Sequence, residues 1–118
     1  MLAAKNRLTT HDDFVRTTKS PIKASTDSLI GYLLHDNKET EPRVGFIVSR
    51  NLGGAVTRHQ ITRRLRHATR SSLHFLPQQS LVVVRAKKSP NVEIEIPNLF
   101  NALNQKALIM SVKDRKST

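Results

Sequence analysis

Leu81-Val82-Val83-Val84 is a short, almost purely apolar run of β-branched character, and it restricts the architecture more than any other stretch of the chain. Side chains alternate faces along a strand, so a strand that is apolar at every position has no side to offer to water. It belongs in the middle of a sheet, with helices packed against it. In a chain of 118 residues, such a strand implies one domain around one core, since a domain commonly takes roughly 100–200 residues.

The flanking patterns supply the other elements. Thr10 followed by Asp13 has the form of a helix-capping box, and Pro21 closes a helix expected over residues 11 to 19. Leu29 to His35 reads as a strand with Ile30, Tyr32 and Leu34 on one face, and Asp36-Asn37-Lys38 reads as a turn into a hairpin partner. From Arg43 to Ser49, the alternation of Val44, Phe46 and Val48 with Arg43, Gly45 and Ile47 predicts a strand with one strongly buried face. Gly53-Gly54 breaks the regularity with backbone shapes that residues bearing a β-carbon avoid. A helix from Val56 to Phe75 follows, with Ile61, Leu65, Ala68 and Phe75 on one side, and Pro77 sets its end.

Beyond the central run, Val92, Ile94 and Ile96 alternate with Glu93 and Glu95 in strand fashion, whereas Pro97, Leu99, Leu103 and Ala107 suggest a last helix over 97 to 109. The conformation of 92–96 is left open by these two patterns. The elements order as α-β-β-β-α-β-α, an α+β class with a mixed sheet of about four strands packed by three helices. Residues 1–118 form a single compact domain in this reading, with a polar tail at 111–118 expected to fray.

Charge is distributed unevenly along this frame. The chain carries 20 Lys and Arg against 9 Asp and Glu, a formal charge of +11. Seven of the eleven arginines fall within the 28 residues from Arg43 to Arg70, which contain no acidic residue. On the helical wheel His59, Arg63, Arg66 and Arg70 lie opposite the apolar stripe, with His67 at the margin and Arg58 and Arg64 flanking the stripe. A solvated helix face made for solubility would mix signs. Arginine in place of lysine, held on a docked helix, instead favours fixed multi-donor contact with phosphates and bases. A DNA-reading helix-turn-helix is disfavoured, because no second helix is joined to this one by a tight turn.

Other classes fall away on composition. The 0 cysteines exclude disulfides and thiolate metal sites, and His11, His35, His59, His67 and His74 lack paired ligand spacing. No apolar run approaches the roughly 18–20 residues of a membrane span, so a soluble, cytoplasmic protein without membrane partners is expected. No catalytic constellation is present: Asp12 and Asp13 point to different sides of a helix, and Glu93 with Glu95 reads as a solvated strand edge before it reads as a Mg²⁺ site. Among the aromatic residues, Phe14 in the first helix beside Arg16 and Tyr32 in mid-strand are positioned to stack on unpaired bases if exposed.

The segment Arg43-Val44-Gly45-Phe46-Ile47-Val48-Ser49-Arg50-Asn51-Leu52-Gly53-Gly54-Ala55-Val56-Thr57-Arg58, continued by Ile61, Arg63, Leu65 and Arg66, resembles the signature of the bacterial ribonuclease P protein subunit. The likeness extends from Asp13-Phe14 to Leu81-Val82-Val83-Val84, most of the chain. It implies a ribosomal-protein-S5-domain-2-like fold with a left-handed crossover around the basic helix, an exception to the usual right-handed rule. It further implies a partner, the catalytic RNA subunit of ribonuclease P, which does the hydrolysis with Mg²⁺ held mainly on RNA. The substrate is precursor tRNA, whose 5′ leader is removed. The same fold and basic surface also serve structural ribosomal and general RNA-binding proteins.

Carried over by position, the resemblance assigns RNA binding to Arg50, Arg58, Arg63 and Arg66, joined on the helix by His59 and Arg70. It places Phe14 and Tyr32 in a leader-binding cleft between the first helix and the sheet, bordered by Arg16 and Arg43. It assigns no catalytic or metal-binding residue to the protein. The chain departs from the family at three places: the family's Arg-Asn-Arg reads Arg58-His59-Gln60, a usual lysine is Thr62, and a second cleft aromatic is Thr18.

Overall fold

The structure, a computed structural model, describes residues 2–36 and 41–116, with the side chains of the last helix described as far as Met110. Its elements are α1 (His11–Thr18), β1 (Ile22–Ser25), β2 (Leu29–His35), β3 (Arg43–Val48), α2 (Ala55–Ser72), β4 (Ser80–Ala86) and α3 (Val92–Lys116). Short 3-10 turns precede α1 and follow β3 and α2. The sheet order is β1-β2-β4-β3, with β3 and β4 parallel and the other pairs antiparallel. This is the α+β order expected from the sequence.

β4 lies between β2 and β3, and Leu81, Val82, Val83 and Val84 are all 0% exposed. Val82, Val84 and Ala86 enter a large core with Ile61 and Leu65 of α2 and Ile96, Leu99, Phe100 and Leu103 of α3. Leu81 and Val83 point the other way, into a smaller cluster with Leu8, Phe14, Tyr32, Leu34 and Ile47. The strand is apolar throughout because two different layers cover it.

One expectation about the sheet, its strand pairing, is corrected, and two features are added to it. β3 is not the hairpin partner of β2, which pairs instead with β1 and β4; of the Asp36-Asn37-Lys38 turn, 37 and 38 lie outside the described residues. The doubly buried β4 takes the place between them, where both of its edges are hydrogen-bonded. β1 is only four residues long, so the alternation of buried Ile22 and Ala24 with exposed Lys23 and Ser25 is too brief to stand out. On β2 the fully buried face is Leu29, Gly31 and Leu33, whereas Ile30, Tyr32 and Leu34 are half-buried. Gly31 hides this face from a hydropathy reading, yet a β-carbon there would lie 2.9 Å from Leu103 Cδ1 of α3.

Residues 92–96 are the first turns of α3, not a strand. The burial decides the period: Val92 and Ile96 are buried while Ile94 is 59% exposed, as helical spacing requires and alternation forbids. Helix formation starts at Asn91, whose carbonyl accepts from the N–H groups of Ile94 and Glu95. Pro97 sits in the second turn and does not end the helix, which runs past the expected limit at 109 to Lys116. Thus 111–116 of the expected tail continue the helix, and 117–118 lie outside the described residues.

Glu95 locks this start in place. Its Oε1 accepts from Thr26 Oγ1 and from the Ser28 N–H, both at 2.7 Å, and its Oε2 accepts from the Asn91 N–H at 2.7 Å. The buried carboxylate therefore ties the cap of α3 to the β1–β2 connection. Burial alone would raise its pKa, but these hydrogen bonds outweigh it and hold the carboxyl below its ordinary value. Glu95→Ala should lower the unfolding free energy at pH 7 by about 2–4 kcal/mol, measured by urea denaturation, because three donors lose a charged acceptor. A folded-state pKa below the unfolded one gives stability that is present above the ordinary value of 4.5 and lost as pH falls through the folded value. The gap between wild type and variant should accordingly narrow on acidification; a gap that stays constant to low pH contradicts the ionised role.

Candidate nucleic-acid interface

After β3 the chain makes a 3-10 turn at Arg50–Leu52 and enters α2 through Gly53 and Gly54. Only Gly53 needs to be glycine: its φ is +138°, and a β-carbon would meet Thr57 at 2.9 Å, whereas Gly54 faces open space. α2 then docks through Ile61, Leu65, Thr69 and Ser72, its buried positions, so its orientation is set by the sheet. His59, Arg63, Arg66 and Arg70 emerge on the opposite side; Arg66 is half-buried and the other three are exposed. Arg50 is exposed on the turn that leads to them.

Arg58 lies off this stripe. It is half-buried at the margin of the docking side, and its Nε has no hydrogen-bond partner among the described residues. Arg64 is also off the stripe, and its Nη2 donates to the Pro90 carbonyl at 3.2 Å, linking α2 to the segment before α3. The departures at Gln60 and Thr62 fall on the flanks. Thr62 returns its hydroxyl to the Arg58 carbonyl at 2.9 Å. His59, Arg63, Arg66 and Arg70 are spaced by four, three and four, so the stripe itself is not interrupted by either change.

The second candidate surface is the face of the sheet under α1. Thr10 caps α1 by accepting from the Asp13 N–H at 3.4 Å, and the helix lays Phe14 across β3 at Gly45. A β-carbon on Gly45 would lie 2.3 Å from Phe14 Cζ, so the ring occupies space that any other residue would fill. Strand register puts Lys23, Tyr32, Val83 and Gly45 in one row across all four strands. Lys23 Nζ stands 5.8 Å from the centre of the Tyr32 ring. Phe14 and Tyr32 are both half-buried and pack against the cluster of Leu8, Leu81 and Val83. The position four residues after Phe14 is Thr18, whose hydroxyl donates to the Val15 carbonyl at 3.0 Å.

Arg16 and Arg43 lie at one end of this surface. Arg16 Nη2 donates to Asp13 Oδ1 at 2.7 Å and to Asp36 Oδ2 at 3.0 Å, tying α1 to the end of β2. The Arg16 guanidinium, aided by Thr10 and by the nearby charge of Arg43, holds the Asp13 carboxyl below its ordinary pKa. Both arginines therefore share this end with carboxylates.

Arg85 is the residue that the sequence reading passed over. It is exposed, and its register with Ile30 and Ile47 puts it one row beyond the Tyr32 row on the same sheet face. Its signal is a charge two residues after Val83 at the end of an apolar strand, which alternation sends to the face under α1. Lys23 joins this face for the same reason, once β1 is known to be a strand.

Glu93 and Glu95, weighed from the sequence as a minor Mg²⁺ option, are separated in role by the helix: Glu95 is consumed by its three hydrogen bonds. Among the described residues no three His, Cys, Asp or Glu side chains gather as metal ligands. Nor is any helix among them long and apolar enough to cross a membrane. The chemistry on offer is polyanion binding on a rigid helix, and aromatic and cationic contact on the opposite sheet face.

The Ribonuclease P family matches residues 2–110. The chain is 42% identical over 88 residues to the ribonuclease P protein component of Mycolicibacterium gilvum, taking in 73% of this chain and 71% of that one. With the component from Mycolicibacterium vanbaalenii it shares 33% identity over 114 residues, 90% of this chain and 96% of the other. The fold is also that of the Staphylococcus aureus RNase P protein, with a TM-score of 0.64 at 23% identity over 89% of this chain and 94% of that one. The chain belongs to the ribonuclease P protein family.

Proposed function

We propose that this protein is the protein subunit of a ribonuclease P ribonucleoprotein, which binds the catalytic RNA and the 5′ leader of precursor tRNA and promotes endonucleolytic maturation of the tRNA 5′ end. The observation that carries this reading is the outward stripe of exposed His59, Arg63 and Arg70 with half-buried Arg66, on a helix whose other side is docked by Ile61 and Leu65. Such an array presents its charges at fixed spacing to an RNA backbone. Arg50 and Arg58 extend it, Arg50 exposed on the turn before the helix and Arg58 half-buried at the helix margin.

The leader is received on the other face of the sheet. Phe14 and Tyr32 stack on its bases, with Lys23 and Arg85 on its phosphates, while Arg43 and Arg16 border the end where Asp13 and Asp36 moderate the positive field. Hydrolysis belongs to the RNA, and Mg²⁺ is held mainly by RNA phosphates in the cytoplasm. The protein contributes by neutralising backbone charge, which strengthens substrate and metal binding to the RNA without contact with the scissile bond.

Reconstitution with a bacterial ribonuclease P RNA at low Mg²⁺ should raise the rate of precursor tRNA cleavage; unchanged cleavage contradicts the assignment and leaves a general RNA-binding protein. Arg63→Ala and Arg66→Ala should each weaken binding to that RNA and reduce the slope of log affinity against log salt by about 0.7–0.9. A slope identical to wild type removes the residue from the phosphate contacts.

A further inference from the structure

α2 has a further side next to its basic stripe, and Arg63 stands where the two meet. Between α2 and the start of α3 runs an open groove of about 940 Å³, within the roughly 300–1,000 Å³ of small-molecule sites. Arg63, Arg64 and His67 line it from α2, and Glu93 lines it from α3. Ala68, Val92 and Pro97 give it an apolar component.

The two carboxylates at the start of α3 have opposite circumstances. Glu95 is 8% exposed and accepts three hydrogen bonds. Glu93 is exposed, lines the groove, and makes no ion pair or side-chain hydrogen bond among the described residues, although three cationic or basic side chains line the same space. One hydrogen bond links the two walls, from Arg64 Nη2 to the Pro90 carbonyl, and the start of α3 is itself fixed by the Asn91 N–H donating to Glu95. A preformed cleft thus carries hydrogen-bond donors on one wall and a single unpaired carboxylate on the other.

We propose that this groove takes one unstacked guanine nucleotide of an RNA partner, with Arg63 and His67 on its phosphate and Glu93 on its base; the inference rests on the reading of the protein as an RNA binder. A phosphate satisfies the α2 wall and is repelled by Glu93, so the remainder of the ligand must be a hydrogen-bond donor with an apolar face. A nucleobase has that face, and Ala68, Val92 and Pro97 supply the matching surface. Guanine alone among the four bases places two adjacent N–H donors on its pairing edge, which a carboxylate accepts together in a charge-assisted bidentate contact. An unpaired base exposes that edge, as bases in RNA loops and bulges do.

The test uses the whole protein, isotopically labelled, and follows backbone amide shifts as guanosine, adenosine, cytidine and uridine 5′-monophosphates and inorganic phosphate are added separately. Guanosine monophosphate should shift the amides of Gln60, His67 and Glu93 with about tenfold tighter binding than the other three nucleotides. Glu93→Gln, at an exposed position, should fold normally by circular dichroism, lose that preference and retain phosphate binding. A uridine hexamer carrying one central guanosine should displace the mononucleotide, and an all-uridine hexamer should not.

Equal responses to all nucleotides, or to phosphate alone, overturn base recognition, as does a guanine preference that survives Glu93→Gln. Failure of the guanosine-bearing hexamer to compete overturns the RNA source in favour of a free nucleotide. Because no catalytic RNA is present, these outcomes are separate from failure of cleavage stimulation, which bears on the ribonuclease P reading instead.

Discussion

Leu81, Val82, Val83 and Val84 are each fully buried, with alternate side chains entering separate apolar clusters on the two faces of the sheet. Burial of apolar surface stabilises by roughly 25 cal/mol per Å², so exposing either face of this strand would be costly. One cover is made by α2 and α3 and the other by α1 with the N-terminal segment around Leu8. Each cover brings functional groups with it: α2 carries its basic stripe outward, and α1 lays Phe14 beside the Tyr32 row. The separation of two candidate RNA surfaces onto opposite faces follows from the demand of one strand for two layers.

The legible parts of the sequence are those where one period dominates over enough residues. β3 shows period two over Arg43–Val48, and α2 shows helical spacing from Ile61 through Leu65 to its last turn, so both emerge from pattern alone. β1 is four residues long, β2 hides a buried face behind Gly31, and Val92-Glu93-Ile94-Glu95-Ile96 fits either period until burial distinguishes Ile94 from its neighbours. Pairing was less visible still. Nothing local to β2 and β3 shows that β4, more than thirty residues later, separates them.

The site divides in the same way. The stripe of α2 can be read on a helical wheel, because it depends on one element. The cleft face depends on register among four strands, which is why Lys23 and Arg85 become visible only in three dimensions and why Arg16 proves to be held between Asp13 and Asp36. The two glutamates of α3 make the point at shortest range. They are two residues apart, yet one anchors the helix to the β1–β2 connection and the other stands unpaired in the groove beside α2.

The claim that two RNA surfaces lie on opposite sides of one sheet is most directly tested by mapping amide shifts of the labelled protein on addition of a short single-stranded RNA of leader sequence. The account predicts shifts centred on Phe14, Tyr32, Gly45 and Arg85 that persist when Arg63 and Arg66 are both replaced by alanine. Shifts centred on the α2 stripe and abolished by that double replacement would contradict it.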